Sequence, residues 1–248
     1  MDLVSVIIPY YKKKNSILHS INSVLNQTYN NFEIIIIYDD ESKSDLDFIC
    51  ELKKKDNRIS IIQNKKNFGA GKSRNIGIKN AKGEFIAFLD ADDIWQKEKL
   101  EKQINFMKLN NYDVTHTSYH IINENKDVIK SRIARDFMHI NDLLKSCDIG
   151  TSTVIIKKHL ISENIKFASL VTKEDFVLWL KLLNNNYKIY ALNEVLTLWT
   201  KSNSSLSSST IQKIKDGFKV YYKYMNFNYI KSIYYLLCLA INFLIKNK

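Results

Sequence analysis

Short β-branched runs and amphipathic stretches alternate over the first ninety residues. Val4 to Ile8 is apolar and ends at Pro9, the pattern of a strand buried on both faces. From Ser16 to Asn26, Ile17, Ile21, Val24 and Leu25 fall on one helical face. Phe32 to Tyr38 reads as a second buried strand, closed by Asp39-Asp40-Glu41-Ser42. A charged helix over about Ser44 to Lys55 and a strand over Ile59 to Gln63 follow. A glycine turn (Gly69, Gly71), a helix over Ser73 to Asn80 and a strand over Glu84 to Leu89 complete the series. Such alternation predicts a parallel sheet wrapped by helices. Sheets of this kind bind ligands beyond the carboxyl ends of their strands. The polar residues at those ends are Pro9-Tyr10-Tyr11, Asp39-Asp40 and Asp90-Ala91-Asp92-Asp93.

The second half is less regular. Lys97 to Leu109 is expected to be helical, and Asp113–Ile122 and Val128–Ile133 to form a hairpin around Asn123–Asp127. A strand is expected over Ser152 to Ile156 and an amphipathic helix over Asp175 to Leu183. One proline and six glycines leave no linker, so one domain over residues 1–205 and a helical tail over 206–248 are expected.

The chain carries 37 basic against 26 acidic residues, a net charge of +11. That excess suits an anionic partner, although scattered solvated lysines give the same total. No nucleic-acid-binding motif accompanies it. Three separated cysteines, with no CxxC pair, argue against a disulfide framework or a zinc site. Val4–Ile8 is too short for the apolar stretch of a signal peptide, so a cytoplasmic protein is expected.

Three acidic groups carry candidate chemistry. The apolar run into Asp90-Ala91-Asp92-Asp93 delivers three carboxylates at a strand end. Mg²⁺ and Mn²⁺ take oxygen ligands, often one or two carboxylates plus substrate phosphates. In an extended chain Asp90 and Asp92 point the same way and address one ion or its diphosphate. The same residues also suit a turn and a helix cap. Asp39-Asp40, again at a strand end, offers a carboxylate that can accept the N–H of a uracil ring while Tyr11 at the neighbouring strand end stacks on the base; a solvated turn is the alternative. Glu174-Asp175 opens an apolar-faced helix, as caps or as the general base for an acceptor hydroxyl. Gly71-Lys72-Ser73 is not a phosphate-binding P-loop, because Lys66 stands where that motif needs glycine. The helix beginning there still brings Arg74 toward a phosphate or ribose.

Taken in order, Val4–Tyr11, Ser23–Tyr29, Phe32–Asp40, Ser73–Gly77, Ala81–Ile86, Leu89–Asp93 and Glu174-Asp175 resemble the inverting family 2 glycosyltransferases. The likeness is dense over residues 3–100 and ordered but sparse to about 200. It implies the GT-A fold, an α/β mixed sheet flanked by helices, and transfer of a sugar from a UDP-sugar to a surface-glycan or glycolipid acceptor. It further implies that Pro9, Tyr11 and Asp40 hold the nucleoside and that Arg74 lies near the base or diphosphate. Asp90-Ala91-Asp92 matches the DxD motif, with Asp90 and Ala91 against the nucleotide and Asp92, joined by Asp90, at Mn²⁺ or Mg²⁺. Asp175, with Glu174 beside it, matches the catalytic pair. Two positions depart from the pattern: Glu41 replaces the usual glycine, and Trp199-Thr200-Lys201 stands where Tyr-Arg is common. The second leaves the grip on the leaving diphosphate to another cation, for which Lys201 is a candidate. A rival reading is an inactive nucleotide-sugar-binding protein.

Residues 211–248 hold seven lysines against Asp216 alone, with six interleaved tyrosines. The apolar stretch from Ser232 to Ile245 falls short of the roughly 20 residues that span a bilayer. A basic amphipathic helix on the inner face of the membrane is one reading. The other is a helix packed on the domain or against a second copy.

Overall fold

The computed structural model describes residues 2–201 and 210–247. The first half follows the expected alternation: β1 (Val4–Tyr10), α1 (Lys14–Leu25), β2 (Phe32–Tyr38), α2 (Leu46–Lys55), β3 (Ile59–Gln63), α3 (Ala70–Asn80) and β4 (Phe85–Phe88). β5 (Ile94–Trp95), α4 (Lys99–Leu109), β6 (Val114–Ile122), β7 (Val128–Arg132), β8 (Ile155–Lys157), α5 (Glu174–Asn184) and β9 (Tyr190–Thr200) follow. Among the described residues all nine strands join one mixed sheet, ordered β3-β2-β1-β4-β8-β6-β9-β5 with β7 on β6. β1, β2, β3 and β4 pair in parallel, as their β-branched runs require. β8 turns antiparallel against β4 and β6, and β9 runs parallel to β6.

Strand alternation splits the core into two layers. Val4, Val6 and Ile8 face one side with α1, α2 and α4, whereas Ile7 faces the other with α3 and α5. Helix α5 is buried nearly all round, from Phe176 through Leu180. The sheet therefore holds both helices that carry candidate site residues, α3 and α5, against the same face.

One expectation is corrected. The stretch expected as a strand from Ser152 begins as a 3-10 turn, Thr151–Thr153, and pairs only from Ile155. Threonine and valine favour strands, but Thr153 N–H bonds the Gly150 carbonyl and closes the turn first. β9, which no simple alternation marks, is an inner strand. Its pairing with β6 shifts register at Thr117–Tyr119, so its burial never settles into a period of two.

The expected boundary at 205/206 lies outside the described residues. Beyond it, α6 (Thr210–Lys219), a π-helical turn (Val220–Tyr224) and α7 (Tyr229–Asn247) pack on the domain. Val220, Tyr221 and Leu239 join the core layer that contains α5, and Tyr221 Oη donates to the Leu144 carbonyl at 2.6 Å. Asp216 is buried and accepts hydrogen bonds from both the amide and the hydroxyl of Thr172. No helix among the described residues is long and apolar enough to cross a membrane.

Candidate active site

At the end of β1 the chain splits its tyrosines. Tyr10 points inward, stacks on Tyr38 and donates to Asp45, whereas Tyr11 stands out at 36% exposure. Pro9, half-buried, pairs with Ile37 of β2. The adjacent Asp39 and Asp40 are both buried but do different work. Asp39 accepts from Asn64, Phe68 N and Gly69 N, fixing the turn into α3. Asp40 Oδ1 accepts from the amide and hydroxyl of Ser42. Its Oδ2 has no hydrogen-bond partner among the described residues. A buried carboxylate oxygen without a donor is costly unless a ligand supplies one.

The Asp90–Asp93 segment is a tight turn, closed by Asp93 N to the Asp90 carbonyl at 3.0 Å. The extended geometry expected for Asp90 and Asp92 therefore does not hold, and the two carboxylates take different partners. Asp90 Oδ1 meets Arg74 Nη2 at 2.5 Å, whereas Asp92 Oδ2 meets Lys13 Nζ at 2.8 Å. Ala91 is buried, and its carbonyl accepts from Ser16 Oγ, which ties the turn to α1. Asp93 is also buried; it accepts from Ser152 Oγ at 2.5 Å and from Thr200 N at 2.9 Å. Burial, then Asp90 and Asp92, raise the Asp93 pKa well above the ordinary carboxylate value. Burial likewise raises Asp92, with Lys13 pulling the other way and Asp90 adding to the rise.

Arg74 links this turn to α5. Its side chain is 4% exposed, and Nη1 donates to Glu174 Oε1 at 2.7 Å while Nη2 holds Asp90. Burial works against its charge, but Asp90 and Glu174 overcome that and keep it cationic. The approach of the two helices is close: a Cβ on Gly71 would sit 2.5 Å from the Ala168 carbonyl oxygen and 2.9 Å from Glu174 Cγ. Burial and Asp175 push Glu174 up to about 7, against the pull of Arg74.

The ion pair occupies Glu174, whereas Asp175 forms no ion pair among the described residues. Asp175 Oδ2 accepts from Thr151 Oγ1 at 2.8 Å, and Oδ1 accepts from Phe176 N at 2.7 Å. Lys173 before it adopts the left-handed conformation, φ 63°, which turns the chain sharply into α5.

Residues from distant segments complete the site without having been singled out in the sequence. Lys13 pairs with Asp92, Thr151 holds Asp175, and Ser152 bonds both Asp93 and the Asp90 amide. Thr200 Oγ1 donates to the Asp92 carbonyl, which brings the Trp199-Thr200-Lys201 segment beside the turn. The run Gly150-Thr151-Ser152-Thr153 was the available signal, since clustered hydroxyls after glycine favour turns that bond neighbouring backbone.

Asp90, Asp92, Asp93, Glu174 and Asp175 gather around Arg74 and Lys13, leaving an acidic surplus. No three described acidic, His or Cys side chains converge to hold an ion unaided. The donor set instead suits Mg²⁺ or Mn²⁺ shared between one carboxylate and substrate phosphates. Asp92 is 21% exposed at its side chain and carries a single lysine on Oδ2, so its oxygens are open to such an ion.

The same arrangement of sheet and helices occurs in TarS of S. aureus, solved in complex with UDP-GlcNAc. The TM-score is 0.76 at 24% identity, over 95% of this chain and 70% of that one. The fold is thus GT-A, the class of transferases built on a nucleotide-binding mixed sheet. Residues 5–164 match the model of Glycosyl transferase family 2, and the chain belongs to that family. It is 39% identical to the E. coli UDP-Glc:alpha-D-GlcNAc-diphosphoundecaprenol beta-1,3-glucosyltransferase WfgD, over 95% of this chain and 91% of that protein. WfaP of E. coli, of the same description, is 36% identical over 100% of this chain and 96% of its own length. The protein is a glycosyltransferase.

Proposed function

We propose that the protein transfers a hexose from a UDP-sugar to a hydroxyl of a lipid-diphosphate-linked glycan acceptor, with inversion at the anomeric carbon. The observation that carries this reading is Asp175. Its carboxylate is oriented on both oxygens, forms no ion pair among the described residues, and adjoins the Glu174 that Arg74 ties to Asp90. Asp40 Oδ2 takes the N–H of the uracil ring and Tyr11 covers the base. Asp92, with diphosphate oxygens, holds Mn²⁺ or Mg²⁺, which when bound offsets charge on the leaving group. Arg74 keeps Asp90 and Glu174 in register, and Lys201 lies on the strand end nearest the turn.

In the reacting complex Asp175 accepts the proton of the acceptor hydroxyl as its oxygen bonds to the anomeric carbon. The bond from that carbon to the diphosphate breaks on the opposite face, and UDP leaves with the electron pair. The relatives of known activity make β-1,3 bonds from UDP-glucose to diphosphoundecaprenol-linked GlcNAc. UDP-glucose and a diphospholipid-linked GlcNAc are therefore the first donor and acceptor to assay, and surface-polysaccharide synthesis the setting. Transfer by the wild type, lost with metal-dependent UDP binding in Asp92→Ala, supports the assignment. Unchanged metal-dependent UDP binding in Asp92→Ala would remove it.

A lipid-linked acceptor calls for a route to the bilayer, and α7 offers one. Ser232 and Leu239 face the domain, whereas Ile230, Leu237, Ile241 and Leu244 are each more than half exposed along the outer side. Six lysines in residues 210–247 oppose Asp216 alone, which disfavours a second copy and favours an anionic membrane surface. The full chain should sediment with phosphatidylglycerol-containing vesicles and not with phosphatidylcholine alone. Leu237→Glu combined with Ile241→Glu should release it. Dimerisation through this face, without vesicle binding, would contradict the membrane reading.

A further inference from the structure

Lys13 is held more firmly than a surface lysine needs to be. Its carbonyl accepts from the amides of Ser16 and Ile17, fixing its backbone as the first turn of α1. The preceding Lys12 takes a left-handed conformation, φ 50°, which swings the chain from β1 into that turn. Ser16 Oγ anchors the same turn to the Ala91 carbonyl, between the two DxD carboxylates. The Lys13 side chain, 26% exposed, then reaches Asp92 Oδ2 at 2.8 Å. A long flexible stem is mounted on a rigid base, and its ammonium rests on the carboxylate that Proposed function gives to the metal.

Asp92 Oδ2 cannot serve the ammonium and a divalent ion together. Two cations so close to one oxygen repel, and the doubly charged ion prevails once phosphates join it. The displaced lysine is then left beside the diphosphate that shares the ion. Lysine binds phosphate as a compact point charge on a mobile stem and needs no fixed fork geometry.

We propose that Lys13 is an exchanging ligand. It holds Asp92 while the donor is absent, yields that oxygen to the divalent ion, and turns to the donor's diphosphate. The proposal rests on the metal reading of Asp92. It supplies, from the β1–α1 turn, a cation for the diphosphate where the usual Tyr-Arg pair is missing.

Exchange makes a prediction of opposite signs. Lys13→Met removes a competitor for the metal and a ligand for the nucleotide. Mn²⁺ binding to the full chain without nucleotide, weak because Asp92 is then its main protein ligand and followed at high protein concentration by electron paramagnetic resonance of the free ion, should tighten about two- to fivefold. UDP binding at saturating Mn²⁺, followed by calorimetry, should weaken about tenfold. Lys13→Arg, which retains the cation, should move both constants less. A purely structural role would weaken both together, and that result, or unchanged constants, overturns the proposal. Asp92→Asn separates the layers. If it leaves Mn²⁺ and UDP binding as in wild type, the metal reading fails and the exchange fails with it. If it abolishes metal binding while Lys13→Met changes nothing, the exchange alone fails.

Discussion

Replacing Arg74 by methionine removes the strut between the DxD turn and α5, and the structure sets what that costs. Arg74 makes two charge-assisted hydrogen bonds, at 2.5 Å to Asp90 and 2.7 Å to Glu174. Asp90, with a side chain 32% exposed, recovers hydration when the guanidinium goes. Glu174, at 11%, does not. Removing one partner of a buried pair typically costs about 3–5 kcal/mol, and the rehydration of Asp90 puts the expected loss near the lower end, ~3 kcal/mol. Glu174 adds a pH signature. Its folded pKa, about 7, already lies above the ordinary carboxylate value of 4.5, so its contribution is present in acid and lost as pH rises between the two. Without Arg74 the folded pKa rises further. Wild type stops losing stability near pH 7 on this account, and Arg74→Met continues at up to ~1.4 kcal/mol per pH unit. Urea unfolding of both proteins at pH 6, 7, 8 and 9 measures the gap directly. Adding Glu174→Gln to Arg74→Met should restore most of the loss and flatten its pH dependence. A loss below ~1 kcal/mol, or a gap that does not widen above pH 7, would refute the buried-strut reasoning.

Three further outcomes are expected. Gly77→Ala places a Cβ 2.5 Å from Ile7 Cγ2 and should cost about 1–3 kcal/mol in unfolding experiments, with the double variant carrying Ile7→Ala losing less than the sum of the two single losses. Lys99 is fully buried over Trp95, and burial lowers its pKa to about 7, so its stability penalty grows as pH falls from 10.5 toward 7. Lys99→Met should therefore stabilise the protein at pH 7, less the buried hydrogen bond it gives up to Gln103 Oε1, with the gain fading toward pH 10 in thermal melts. Thr151→Val takes a hydrogen bond from Asp175 Oδ2 and should lower kcat/KM, with Thr151→Ser restoring it.

The parts of the fold that could be read from the chain are those whose burial is uniform. Val4–Ile8 and Phe32–Tyr38 are apolar but for Ser5 and Glu33 because parallel strands β1 and β2 are covered on both faces, and the pattern states that directly. Tyr190–Thr200 hides β9 because each shift against β6 exchanges inward and outward positions. At the site, Asp40, Arg74, Asp92 and Asp175 stood out as charged groups at the ends of apolar elements. Their partners did not. Lys13 lies 79 residues from Asp92 and looks like one of three consecutive solvated lysines. Thr151 lies 24 residues before Asp175 inside a β-prone run. Spacing along the chain carries no sign of contacts that only the sheet order creates. The division of labour between Glu174 and Asp175 is equally three-dimensional, because it depends on which carboxylate Arg74 reaches.

The account stands on Asp175 as the base of an in-line sugar transfer, and one comparison tests it most directly. Wild type and Asp175→Asn are incubated with UDP-glucose, Mn²⁺ and a diphospholipid-linked GlcNAc, while UDP affinity is measured on the same preparations. The account expects β-linked product from wild type, a loss of about 10³-fold or more in Asp175→Asn, and UDP affinity within a few-fold in both. Turnover by Asp175→Asn within tenfold of an active wild type would contradict it.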